Sequence, residues 1–121
     1  MKVLIIENNW LMLKLMRDEA AKAFPVPQIL TAKDATEALL TLKMLDFDVV
    51  ILGTEINDDA ASTTLKLQML QAASPKARHA LLADKSTCDG VTLGGIFRER
   101  RPHAHRLYAG ILDSIVKQPA A

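Results

Sequence analysis

The opening stretch Met1-Lys2-Val3-Leu4-Ile5-Ile6-Glu7-Asn8-Asn9 sets an unbroken aliphatic run against an abrupt polar stop. A run that does not alternate suits a strand covered on both faces, as in a parallel sheet flanked by helices. After Asn9, a residue type that caps helices, Leu13, Met16, Ala20 and Phe24 recur at i, i+3, i+7 and i+11 until Pro25 stops the pattern, which marks an amphipathic helix. Gln28 to Ala32 forms a second, weaker strand. Asp34 and Glu37 make a D-x-x-E capping pattern that starts a helix at Asp34, with Ala35, Ala38, Leu39, Leu42 and Leu45 as its apolar stripe. Asp48-Val49-Val50-Ile51-Leu52 is another buried strand, ended by Gly53. This β-α-β-α-β order with short connections gives a parallel sheet with right-handed crossovers and helices on its faces.

The second half is less regular. Asn57-Asp58-Asp59 reads as a loop, Ser62 as a cap, and Leu65, Met69, Ala72 and Ala73 as the apolar stripe of a third helix that ends before Ser74-Pro75. His79 to Ala83 is a fourth strand. Beyond it two registers compete. In the first, Gly90-Val91-Thr92-Leu93 is the fifth strand and a carboxyl-terminal helix carries Leu107, Ile111 and Ile115, but Asp84 to Asp89 is short for a parallel crossover. In the second, Ser86 to Arg100 is the crossover and the strand lies near Ala104 to Tyr108, at the cost of three glycines in the crossover and a strand made of His103-Ala104-His105-Arg106. The first is the preferred expectation.

Half of the 121 residues are hydrophobic and 24% are charged, which suits an ordinary globular chain and excludes a disordered one. That length holds one core and has little room for a second, so residues 1–117 form one domain and 118–121 a frayed tail. The formal charge of +1 and a pI near 7.9 provide no field that would recruit DNA or an anionic membrane. A single cysteine, Cys88, allows neither an internal disulfide nor a multi-thiolate metal site and points to the cytoplasm. The apolar run at the amino terminus is far short of a signal-peptide core or the ~20 residues of a membrane span.

Together these elements resemble the receiver domain of bacterial response regulators. That resemblance implies a flavodoxin-like α/β fold, a three-layer doubly wound sheet of five parallel strands in the order 2-1-3-4-5, here with an irregular or missing fourth helix. It covers nearly the whole chain and is firmest over residues 1–75. Met1 to Asn8 resembles the family's first strand and acidic pair, and Asp48 to Gly53 the strand that carries its phospho-acceptor aspartate. In the family, two carboxylates hold Mg²⁺, the aspartate accepts phosphate, a Thr or Ser after the fourth strand senses it, and a Lys after the fifth pairs with it. The resemblance assigns these roles to Glu7 and Asn8, Gly53, Ala83 and, in the first register, Gly94; in the second the Lys position falls near His105. One carboxylate of the pair is left, Gly53 has no side chain to phosphorylate, and Ala83 has no hydroxyl. The resemblance therefore implies the fold and setting of a degenerate pseudo-receiver without the family's phosphoryl transfer. Glu55, Asp58 and Asp59 could hold a displaced acceptor only several Å from the old pocket, and read better as solvated loop acids.

Five further signals compete with plainer explanations. Arg98-Glu99-Arg100-Arg101, with His103, His105 and Arg106, is a basic cluster suited to phosphates or carboxylates, although Glu99 interrupts it and only Phe97 is beside it for stacking. A solvated turn explains it as well. His103-x-His105 lacks a third metal ligand, and Cys88 lacks an activating base. Gly94-Gly95 lacks the dinucleotide-binding spacing, and there is no Walker loop or nucleophile elbow. Trp10, with Leu11 and Met12 off the core stripe, is either a partner surface or packing that fills the empty acceptor pocket.

The expectation is a cytoplasmic, non-enzymatic receiver-like module in a two-component or phosphorelay setting, with no cofactor and no metal. It acts by phosphorylation-independent contact with a histidine kinase, a phosphotransfer protein, another receiver or an output protein, and homodimers are compatible with it. The alternative is a sensor of a small anionic ligand or nucleotide second messenger, using the strand-end crevice and the arginine cluster. A flavodoxin-like redox carrier is disfavoured, because Glu7-Asn8-Asn9-Trp10 lacks the Ser, Thr and Gly of a flavin phosphate loop.

Overall fold

The computed structural model describes residues 2–23, 28–53 and 59–100. In chain order these form β1 (Lys2–Ile6), α1 (Trp10–Ala23), β2 (Gln28–Ala32), α2 (Ala35–Leu42), β3 (Val49–Gly53), α3 (Ala60–Ala73), β4 (Arg78–Ala83), α4 (Lys85–Gly90) and β5 (Ile96–Arg100). All five strands are parallel, in the order β2-β1-β3-β4-β5. This is the flavodoxin-like α/β architecture expected from the sequence.

The unbroken aliphatic runs divide by strand alternation between the two faces of the sheet. Val3, Ile5, Val49, Ile51, Ala80 and Leu82 cluster with Met16 of α1. Leu4, Ile6, Val50, Leu52, Leu81 and Ala83 face the other way, against Ala38 and Leu42 of α2 and Leu67 and Leu70 of α3. Asp34 caps α2, its Oδ1 accepting from the Glu37 amide at 2.9 Å.

Three expectations are corrected. The cap of α3 is Asp59, which accepts from the Ser62 amide at 2.6 Å, so Ser62 lies inside the first turn. The stripe Leu65, Met69, Ala72 and Ala73 faces solvent, and the buried stripe of α3 is Thr63, Leu67 and Leu70. Both stripes recur at helical spacing, so the period alone could not choose between them. The third correction is β5, which lies at Ile96–Arg100 in neither expected register.

The crossover to β5 consists of the short α4 and the loop that follows it. Asp84 caps α4 through the Thr87 amide at 2.8 Å. Val91, read as a strand residue, instead bonds its amide to the Thr87 carbonyl at 3.1 Å and buries its side chain beside Ile96 in the core. Gly95 then turns the chain into the strand with φ +76°, a left-handed conformation that favours glycine. Ile96 pairs with His79 and Arg100 with Ala83, which makes β5 an edge strand. The expected carboxyl-terminal helix on Leu107, Ile111 and Ile115, the tail 118–121, and Glu55 and Asp58 lie outside the described residues.

Candidate functional site

In a parallel sheet the carboxyl ends of the strands lie together, and here they gather Glu7, Gly53 and Ala83. Ile6 is in register with Leu52 and Gly53 with Leu82, so the three residues occupy neighbouring positions at one rim of the sheet. Glu7 continues from β1, its amide donating to the Ala32 carbonyl of β2 at 3.0 Å. Its side chain is buried, only 2% exposed, and Oε2 accepts from the Asn8 amide at 3.0 Å. Asn8 itself is exposed.

The decisive geometry is between Glu7 and Gly53. A Cβ built on Gly53 would lie 3.0 Å from Glu7 Oε1, 3.2 Å from Glu7 Cδ and 3.3 Å from the Ile6 carbonyl oxygen. The carboxyl of Glu7 thus crowds the first atom of any side chain at position 53. Ala83 is buried and offers no polar side-chain atom. The next acid, Asp84, is committed to capping α4. Hydrogen bonds from the Thr87 backbone amide, the Thr87 hydroxyl and the Ser86 hydroxyl hold its carboxyl below its ordinary value, against a smaller opposing effect of burial. Asp59, one of the loop acids considered as a displaced acceptor, is likewise occupied as the cap of α3.

Other sequence candidates fall elsewhere. Trp10 opens α1 and is 73% exposed, so it does not fill the space at Gly53; Leu11 beside it is exposed, whereas Met12 packs on the α1 side of the core. Gly94 precedes β5 and therefore sits at the opposite end of the sheet from Gly53, which removes it from the site. With β5 at Ile96–Arg100, the residue that follows the strand in the chain is Arg101, outside the described residues together with Arg106, His103 and His105. Arg98 and Arg100 belong to the edge strand rather than to a turn. Arg98 is half-buried and donates from its guanidinium to the Leu93 carbonyl, tying the loop to the strand, while its Nε is buried without a hydrogen-bond partner. Charged residues on an edge strand also discourage strand addition.

Three buried polar residues, Thr63, His79 and Thr87, escaped the sequence reading. Thr63 is wholly buried and its hydroxyl has no partner. His79 opens the buried part of β4; its Nε2 lies 2.7 Å from the Ser74 carbonyl, its Nδ1 is unpartnered, and burial lowers its pKa below 6.5 against a weaker raising effect of that carbonyl. A cavity of about 870 Å³ lies at the amino ends of the strands, lined by Lys2, Asp46, Asp48 and Lys76 among others. That is the end of the sheet away from Glu7 and Gly53. Among the described residues there is no group of three or more His, Cys, Asp or Glu placed to hold a metal, and no helix long and apolar enough to cross a membrane.

The chain is similar to solved structures of the same architecture. A crystal structure of a response regulator from Thermotoga maritima superposes with a TM-score of 0.70 at 13% sequence identity, covering 97% of this chain and 98% of that one. An uncharacterized protein from Neptuniibacter caesariensis superposes with a TM-score of 0.76 at 16% identity, over 96% of this chain and 87% of the other. No protein-family model and no curated protein sequence matches. At such identities the likeness is one of fold, and the fold is that of receiver domains.

Proposed function

We propose that this chain is a receiver-like signalling module that works without phosphorylation and without catalysis of its own, by contact with other signalling proteins. The observation that carries the reading is the closeness of Glu7 to Gly53. A receiver that takes a phosphoryl group needs an accessible carboxylate nucleophile and room for the incoming group. Here the position that resembles the acceptor has no side chain, and the space beside it holds a buried carboxyl. The neighbouring Ala83 lacks the hydroxyl that would bond a phosphoryl oxygen. A signal must then be carried by surface contact, with a histidine kinase, a phosphotransfer protein, another receiver or an output protein as the class of partner. The cytoplasm is the compartment where such partners meet. The anionic-ligand alternative is weaker because Arg98, the part of the cluster whose side chain is described, is spent on the Leu93 carbonyl.

The test is a ¹⁵N-¹H NMR titration with Mg²⁺ and beryllofluoride, the phosphoryl mimic. The expected result is no shift at Gly53, Ala83 or their neighbours. Saturable shifts centred on those amides would overturn the proposal and reveal a surviving acceptor.

A further inference from the structure

We draw no further inference here: the strongest candidate, the cavity of about 870 Å³ at the amino ends of the strands, carries none, because its charged lining residues Lys2, Lys76, Asp46 and Asp48 are all exposed and cancel in sign, and nothing in the structure shows what ligand would fill it.

Discussion

The rim at Gly53 and the outer face of α3 invert what a soluble domain ordinarily hides and shows. At the rim a carboxyl is buried, Glu7 at 2% exposure, and its Oε1 lies 3.0 Å from where a Cβ on Gly53 would stand. On α3 the large apolar residues Leu65 and Met69 stand in solvent while Thr63, with an unpartnered hydroxyl, is wholly buried on the other side of the same helix. Burying a polar group without a partner costs free energy, and leaving Leu65 exposed forgoes a gain of similar size. Folding alone would have favoured the reverse arrangement of these residues. The difference teaches that the same fold buries a polar group at one end of the sheet and, among the described residues, leaves large apolar side chains exposed on a helix.

The largest contrast is expected between the two sides of α3. Leu70, fully buried, should lose about 3 kcal/mol on truncation to alanine, through lost burial and the cavity left behind. Leu65→Ala in dilute solution should stay within about 0.5 kcal/mol of wild type. Urea unfolding of both variants at micromolar concentration measures the pair. Equal losses would mean that the outer stripe belongs to the fold's own core and would break the comparison.

Next in size is the rim. Restoring an acceptor-like side chain with Gly53→Asp brings a second carboxylate against Glu7, where any Cβ already meets Oε1 at 3.0 Å. A loss of about 2 kcal/mol is expected, from crowding and like-charge repulsion in a buried place. Glu7→Gln in the same chain should return part of it. Should Gly53→Asp be as stable as wild type in urea, Glu7 swings aside freely and the rim is open.

How far the sequence reveals all this depends on what each residue's neighbours supply. β1, β3 and the start of α2 are local statements: runs of aliphatics long enough to need cover on both faces, and an aspartate three residues before the amide it caps. β5 is not local. Ile96-Phe97-Arg98-Glu99-Arg100 holds three charges because an edge strand needs few buried side chains, and Ile96 supplies the fully buried one of those described. Val91 to Leu93 looks more strand-like, yet Val91 is buried as the anchor of a loop, a use that β-propensity does not distinguish. On α3 two stripes share one period, and the choice between them is made by the sheet underneath. At the rim, the resemblance to receivers located Glu7, Gly53 and Ala83, but that Glu7 folds over Gly53 is a tertiary fact that no spacing encodes. Gly94 was misplaced for the same reason as β5, since its position depended on where that strand began.

A smaller effect, of opposite sign, is expected at Thr63. Replacing it with valine keeps the branched shape and removes a buried hydroxyl that has no partner. Thr63→Val should therefore stabilise the chain by about 1 kcal/mol in urea unfolding. A loss instead would show that the hydroxyl is satisfied in solution, and would take the polar member out of the buried stripe.

The smallest effect concerns a third place, the far end of β4 from Ala83, where His79 repeats the pattern of a buried polar group. Burial holds its pKa below the ordinary 6.5, and its Nε2, protonated in the neutral ring, donates to the Ser74 carbonyl. In the unfolded chain the ring takes up a proton near pH 6.5, whereas the folded chain resists until a lower pH. Between those two values the unfolded state binds more protons, so stability falls as pH falls, and above pH 6.5 this group contributes no dependence. His79→Gln keeps a donor toward Ser74 and removes the titration. Compared at pH 7.5 and 5.5, the wild-type urea midpoint should drop by more than that of His79→Gln. Parallel drops would mean that His79 is open to water in the folded chain, leaving the burial of polar groups a property of the Gly53 rim and of Thr63 rather than of both ends of β4.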